Sequence, residues 1–276
     1  MKYLNIRGGL GNQMFQYALY LQLKKLGKNV TFDLTTYQET DIHNGFELQK
    51  VFTLDGHNPR IIHSKFINYI RRLSARGATP GKRHGFVFFE GAMRYGVYLE
   101  VFTTKAPIIE GYFQSERYFK DAKDEVRKAF VFRDIDDNNI NIAEEMKQRN
   151  SVAVHIRRGD YAAFGMKLLG SDYYQKAINH IKKVVKDSHF YIFSDDVEEA
   201  RKIADGCGIT YSLITHNTGA NSYKDMYLMS NCKHNIIANS SFSWWGAWLN
   251  PNPEKVVVSP LWGKYFHCDN WTLIEE

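Results

Sequence analysis

A chain of 276 residues with 44% hydrophobic and 24% charged residues has the make-up of a water-soluble globular protein, with room for one large domain or two ordinary ones. No apolar run approaches the roughly 20 residues of a helical membrane span, and Gly8, Gly9, Gly11, Asn12 and Gln13 stand where a secretory signal would need an apolar core. The net charge of +6 calls for anionic partners, while Cys207, Cys232 and Cys268 are too few and too scattered for a disulfide framework or a metal site, so the chain reads as cytosolic.

The first thirty residues have a strand, glycine-loop, helix, strand rhythm. Tyr3–Ile6 is the first strand, Arg7–Gln13 the loop, and Met14–Leu26 an amphipathic helix with Phe15, Leu19, Leu23 and Leu26 on one stripe, ended by Gly27. Val30–Leu34 follows as a second strand, and such a βαβ opening requires a parallel sheet. Glycines in that loop free backbone N–H groups to approach an anion at a helix start. The loop is not a nucleoside-triphosphatase phosphate loop, since no Gly-Lys-Ser/Thr follows Gly11. Nor is it the dinucleotide fingerprint, because Phe15 stands where a third glycine belongs. A tight turn without ligand is the alternative reading.

From Gly56 to Phe89 there is no acidic residue, while Arg60, Lys65, Arg71, Arg72, Arg76, Lys82 and Arg83 all fall there. Ile62, Phe66, Tyr69, Ile70 and Leu73 recur at helical spacing, so the segment reads as a basic amphipathic helix. Such a helix either packs on its domain with a solvated basic face or lies on an anionic membrane surface. Strand-like pieces at Phe86–Phe89 and Ile108–Phe113, a helix over Lys120–Phe130 and another ending near Asn150 complete the first half.

From Val152 the alternation becomes regular. A β-branched run, Val152–Ile156, reads as a strand buried on both faces. Helices over 172–186, 197–205, 223–230 and 241–249 alternate with strands over 189–193, 209–213, 235–238 and 256–259. That rhythm predicts a doubly wound α/β domain. With a boundary near Arg149–Ser151, the chain divides into residues 1–150 and 151–276, two Rossmann-like α/β domains facing a cleft.

Four stretches of the second half should reach the same sheet edge: His155–Asp160, Ser194-Asp195-Asp196, Asp225, and Asn239-Ser240-Ser241-Phe242-Ser243. Arg157 and Arg158 suit a phosphate, whose oxygens match the guanidinium fork. Serines at a helix start do likewise. Carboxylates cannot hold phosphate. One well-matched role is to accept from the adjacent N–H donors of guanine, and another, for Asp195-Asp196, is to hold a divalent metal. Asp196 has a third option, as the cap of the helix at Val197.

Together GGLGNQMFQYA (Gly8–Ala18), HIRRGDY (His155–Tyr161), FSDD (Phe193–Asp196) and NSSFSWWGAWL (Asn239–Leu249), in that order, resemble the bacterial α-1,2-fucosyltransferases, glycosyltransferase family eleven, nearly end to end. The resemblance implies a GT-B-like fold, a GDP-fucose donor as substrate, no cofactor or metal, and inverting transfer to the 2-hydroxyl of a galactose in an oligosaccharide or lipid-linked glycan. It implies that Arg157 binds the donor β-phosphate, that Asp225 reads guanine, that Asn239, Ser240, Ser241 and Phe242 contact phosphate and nucleoside, and that Gly11 and Asn12 reach the donor. Arg158 and Asp195 join the donor set. The related protein-glycan enzymes carry a glutamate base eight residues after the first motif arginine, and here that position is Gly165. Asp160 and His155 are therefore the candidate catalytic groups beside Arg157, with a phosphate oxygen as the alternative base and with Asp160 also a candidate to orient the arginines.

Trp244 and Trp248 lie four apart on one helix face, which predicts core packing rather than sugar stacking, and Tyr173 and Tyr174 read the same way. The competing functions are another nucleotide-sugar transferase with the same phosphate cradle and a polyanion-binding protein using the basic segment. The latter leaves four spaced motifs unexplained, so nucleic acid is not an expected partner. The expected location is the cytoplasm, with the inner membrane face open to the basic helix.

Overall fold

The computed structural model describes residues 1–39, 44–75, 78–91, 96–159, 167–263 and 265–275. It divides into two compact units, Met1–Arg133 with Gly263–Cys268, and Asp134–Trp262 with Asp269–Glu276. The break falls at Arg133, not at residue 150. The helix Asp137–Gln148 buries Ala143 and Met146 against Ala153, Tyr191 and Phe193 of the second sheet, so it belongs to the second unit.

The first unit is built on a six-stranded sheet of β1 (Lys2–Asn5), β2 (Val30–Asp33), β3 (Arg60–Ile62), β4 (Lys82–His84), β5 (Val87–Phe89) and β6 (Ile108–Glu110), in the order β3-β2-β1-β6-β5-β4. All neighbours are parallel except the β4–β5 hairpin. Lys82, Arg83 and His84 occupy that outer edge, where the two cations discourage further strand pairing.

The glycine motif folds differently from the loop predicted for it. Gly8 turns at φ +81° and Gly9 is extended, so the helix opens at Leu10 and runs to Lys25. Gly11, Asn12 and Gln13 are thus its first turn, with the N–H groups of Asn12 and Gln13 closing on the Gly9 carbonyl. Nearly every residue from Leu10 to Leu23 is buried, not one stripe. The glutamines explain how: Gln13 donates to the carbonyls of Gly8 and Gly45 and accepts from the Glu47 N–H, and Gln16 joins the Arg7 N–H to the Gly111 carbonyl. A buried helix face tolerates amides whose hydrogen bonds are all made.

The basic segment is not one helix. It contains β3, a helix from Lys65 to Ala75, and the β4–β5 hairpin. Its apolar residues split between two faces. Ile67 and Ile70 pack on Val87, Phe89 and Ile108, while Phe66, Tyr69 and Leu73 face solvent at 70%, 60% and 49% exposure. Asn68 and Arg71 are the buried polar residues of the helix.

The second unit carries an all-parallel sheet of β7 (Asn150–Ile156), β8 (Ser188–Ser194), β9 (Tyr211–Ile214), β10 (His234–Ile236), β11 (Val257–Pro260) and β12 (Thr272–Ile274), in the order β12-β11-β10-β7-β8-β9. Val152, Val154 and Ile156 of β7 point to the face covered by the helices Ser171–Val184 and Val197–Gly206. Ala153 points to the face covered by Asp137–Gln148 and Tyr223–Asn231. The tryptophans are core: Trp244 and Trp245 are fully buried, and Trp244 stacks on Trp248. Tyr173 and Tyr174 are buried as well and tie their helix to the sheet through the Ile237 and His155 carbonyls. Strand β12, three residues long, was not expected from the sequence.

Candidate active site

Chain order and spatial order in the second sheet diverge at β7. From there β8 and β9 extend one way and β10, β11 and β12 the other. Loops leaving the C-terminal ends of β7 and β10 therefore part company, and a crevice opens where they separate. His155, Arg157 and Arg158 arrive there on β7, and Asn239, Ser240, Ser241 and Phe242 on the turn after β10. The two stretches meet: the His155 ring lies 6.0 Å from that of Phe242.

Asp195, which follows β8, fixes the arginine turn. Its Oδ2 lies 2.7 Å from Arg157 Nη1, and its Oδ1 accepts from the Arg158 backbone N–H at 2.8 Å. A side chain at Gly159 would place its Cβ 2.5 Å from Asp195 Oδ2, so only glycine lets the turn close against that carboxylate. Asp195 thus orients the arginines, the task that the sequence left open to Asp160. Asp160 itself lies outside the described residues. Arg158 has a looser partner in Glu199, at 3.7 Å. Asp196 is the helix cap, its Oδ1 accepting from the Glu199 N–H at 3.0 Å. The two neighbouring aspartates are each committed to a separate partner rather than paired toward a common point.

The serine turn is also built by capping. Ser240 caps the helix Ser241–Leu249 by accepting from the Phe242 N–H, and Ser243 accepts from the Ala238 N–H. Asn239, 2% exposed, donates to the Lys167 carbonyl at 2.8 Å. Ser241 and Phe242 remain half-buried at the helix start.

His155 is nearly inaccessible at 4% exposure, and its Nδ1 has no hydrogen-bond partner among the described residues. Burial, reinforced by the Arg157 charge, pushes its pKa down to about 3. It is a neutral imidazole at any working pH. That makes it a hydrogen-bonding group and a poor proton acceptor.

Asp225 sits in the first turn of the helix Tyr223–Asn231, and burial raises its carboxyl to about 7 against the opposing hydrogen bond from Asn217. Asn217 Nδ2 donates to Asp225 Oδ1 at 2.9 Å. Asn217 is in turn clasped by Asn139, the two amides exchanging hydrogen bonds of 2.9 and 3.1 Å. Asn139 is anchored by Asp136, the cap of its helix, which Lys224 also pairs at 2.9 Å. Asn139 and Asn217 were not singled out in the sequence. The local signal for Asn217 is a polar, glycine-containing turn, His216–Asn221, between a strand and a helix. Gly11 and Asn12, the remaining candidates, belong to the first unit, where Asn12 Oδ1 accepts from Gln114 Nε2.

Among the described residues no group of three or more His, Cys, Asp or Glu side chains is placed to hold a metal ion, and no helix is long and apolar enough to cross a membrane. Cys207, Cys232 and Cys268 are buried, and none of them is in a disulfide among the described residues.

Comparison with known proteins adds the family. The profile of Glycosyl transferase family 11 matches residues 99–266. The chain is 34% identical over 265 residues to an alpha-1,2-colitosyltransferase of Escherichia coli, covering 92% of this chain and 89% of that one. It is 31% identical to the O-antigen biosynthesis glycosyltransferase WbnK of Escherichia coli, covering 97% and 96%. In three dimensions it resembles the fucosyltransferase NodZ from Bradyrhizobium, with a TM-score of 0.52 and 14% identity over 91% of this chain and 94% of that one. At that identity the likeness speaks for the fold, which is of the GT-B type.

The buried neutral histidine has a thermodynamic signature. Between the ordinary histidine value of about 6.5 and the folded value near 3, the unfolded chain takes up a proton that the folded chain refuses. Stability from this residue is therefore full above about pH 6.5 and is lost as pH falls, by up to about 1.4 kcal/mol per unit. Urea unfolding at neutral and mildly acidic pH should show a smaller acid loss in H155Q than in wild type. Equal losses would mean that His155 is not held neutral.

Proposed function

The chain belongs to glycosyl transferase family 11, and from that membership we propose that it moves L-fucose, with inversion, from GDP-β-L-fucose to the 2-hydroxyl of a terminal galactose. The observation that carries the reading is the switch point of the second sheet, where an oriented guanidinium and a serine-capped helix start converge. That is a cradle for a diphosphate. Departure of GDP builds negative charge on the β-phosphate. Arg157, held in place by Asp195, stabilises that charge more than the ground state. Arg158, Ser240, Ser241, Asn239 and Phe242 line the same turn pair, with Phe242 and His155 forming its buried wall. His155 contributes a neutral hydrogen bond, not a proton relay. With fucose leaving as an oxocarbenium-like fragment, a weak base such as Asp160 or a phosphate oxygen suffices for the acceptor proton.

A second donor has a specific observation in its favour, the 34% identity to a colitosyltransferase. Colitose differs from fucose in lacking the 3-hydroxyl, so the two GDP-sugars compete for one cradle. Fucose is the reading favoured here because the four motifs are those of the fucosyltransferases.

GDP release on mixing the chain with GDP-fucose, with and without lactose, in EDTA, tests the reaction. Lactose-stimulated release is expected, and R157K should lose roughly 10²–10³ in rate because an ammonium cannot reproduce the fork. Turnover of R157K near the wild-type level would remove Arg157 from the mechanism. Faster release from GDP-colitose would reassign the donor.

Asp225 is the guanine reader in this proposal, with Asn217 orienting its carboxylate. Guanine offers two adjacent donors, N1–H and the 2-amino group, and only the ionised carboxylate accepts both. Since the free carboxyl titrates at about 7, GDP binding should tighten by roughly tenfold from pH 6 to pH 8. Isothermal titration in two buffers checks this. D225N should bind weakly and without that pH dependence; an unchanged profile in D225N would contradict the assignment.

We further propose that the helix Lys65–Ala75 docks on an anionic lipid surface. Phe66, Tyr69 and Leu73 form an exposed apolar stripe, and Phe86 in the adjacent hairpin is 57% exposed. The exposed Lys65, Arg72, Lys82 and Arg83 surround them, with no acidic residue from Gly56 to Phe89. Apolar insertion plus cationic attraction is the chemistry of interfacial binding. Flotation with phosphatidylserine-containing liposomes should recover the wild type, and the double variant F66S/Y69S should stay behind. Equal recovery on neutral vesicles, or concentration-dependent dimers in their place, would refute the lipid assignment.

A further inference from the structure

The first sheet has a switch point of its own. From β1 the chain order runs outward through β2 and β3, whereas β6 lies on the other side of β1, followed by β5 and β4. The C-terminal ends of β1 and β6 therefore flank a crevice by the same rule. The groups gathered there are unusual for a protein interior. Glu110, ending β6, is 7% exposed, and its Oε1 takes two guanidinium groups, Arg7 at 2.9 Å and Arg71 at 3.1 Å. Arg7 follows β1 and also lies 4.5 Å over the ring of Tyr112. Arg71 comes from the helix Lys65–Ala75 and is 8% exposed. Gln114, also 8% exposed, donates to Asn12.

After these contacts are made, four polar atoms in this cluster have no hydrogen-bond partner among the described residues: Glu110 Oε2, Gln114 Oε1, Arg7 Nε and Arg71 Nε. Leaving a buried polar atom unpaired is costly, so a cluster of four calls for a ligand. The set is mixed, two acceptors and two donors. A phosphate offers acceptors only and would meet the Glu110 carboxylate with like charge. A sugar hydroxyl both donates and accepts, and a half-buried aromatic ring beside it suits the apolar face of a pyranose. The segment is also held from behind: Glu90 Oε2 accepts from the N–H groups of Tyr112 and Phe113 at 2.8 and 2.6 Å.

We infer that the ends of β1 and β6 form a binding site for a neutral pyranose, in which Glu110 and Gln114 accept from its hydroxyls, Arg7 donates to them, and Tyr112 lies against the ring. The inference rests on the transferase reading for its choice of sugar, which is either the galactose of the acceptor or the fucose of the donor. Both present the same hydroxyl chemistry.

Saturation-transfer NMR on the GDP-loaded chain separates these sources, with methyl β-D-galactoside and L-fucose as probes and inorganic phosphate observed by its own line broadening. Wild type should give signal to one of the two sugars. E110Q should weaken it by roughly tenfold or more, the loss expected for a hydrogen bond to a charged group, and Y112A should weaken it by removing the ring face. Circular dichroism should stay unchanged, and Y112A keeps the test open if E110Q does not fold. Signal to the galactoside identifies an acceptor subsite, signal to fucose a donor-sugar subsite. No sugar signal in wild type, sugar signals that persist in both variants, or binding of phosphate alone would each overturn the inference. GDP-induced thermal stabilisation is read on the same samples. Its absence would count against the donor proposal while leaving the sugar result to stand by itself.

Discussion

A strand that pairs on both edges and packs on both faces cannot carry charge until it leaves the sheet, and β7 is such a strand. It pairs with β8 and β10, and every residue from Ser151 to Ile156 is buried. The first charged side chains available are Arg157 and Arg158, at the point where β8 and β10 diverge. Once outside, two adjacent guanidinium groups repel each other and sweep out many rotamers. Asp195, brought alongside by the seven-residue register of β7 on β8, collects one side chain and the next backbone N–H. The site's geometry therefore follows from strand pairing, with one carboxylate converting a flexible pair of cations into an oriented one.

The same unit shows how burial sorts titratable groups by task. His155 and Asp225 lie on different elements, yet both are pushed toward their neutral forms by desolvation. For His155 the cation at Arg157 pushes the same way, so no ordinary pH restores its charge. For Asp225 the Asn217 hydrogen bond pulls back, leaving the carboxyl near neutrality where a ligand's donors can tip it. Asn139 and Asp136 hold Asn217 at that angle. In the proposed role of Asp225 as a reader of paired donors, such a scaffold sets the carboxylate's angle before a ligand arrives.

Much of the second unit was legible because its signals are local. The helix Ser241–Leu249 is bounded as expected, since a serine cap and an apolar run declare both ends. Strand β7 and the helix Val197–Gly206 came within two residues of their expected bounds. Where the signal is not local it failed. Strands β3, β4 and β12 are three residues long and exist through pairing, which no window of sequence displays. The helix Lys65–Ala75 was legible as a helix but not in its orientation. Periodicity cannot tell whether Ile67 and Ile70 or Phe66 and Tyr69 meet the sheet, and it is the isoleucines that do. The glycine motif misled for a related reason. Glycines read as loop, but Gly8 alone makes the turn and Gly11 is already helical. Of the residues at the candidate site, Arg157, Ser240 and Phe242 stand out by motif. Asn217 and Asn139 are 78 positions apart and did not.

The two sheets share one topological device and furnish it with different groups. At the β7–β10 switch point Asp195 holds Arg157, Glu199 lies beside Arg158, and a serine-capped helix start adds the partial positive charge of its N–H groups. At the β1–β6 switch point Arg7 and Arg71 converge on a single oxygen of Glu110, and a second buried acid, Glu90, is raised to about 7 by burial. What remains is hydrogen-bonding capacity of both signs, held rigid by charge-assisted contacts. A group transferase has to recognise one highly charged substrate and one neutral one rich in hydroxyls. In the proposed reading one switch point takes the charged donor and the other the neutral sugar, although the sheets order their outer strands differently, the first closing on an antiparallel hairpin and the second staying parallel throughout.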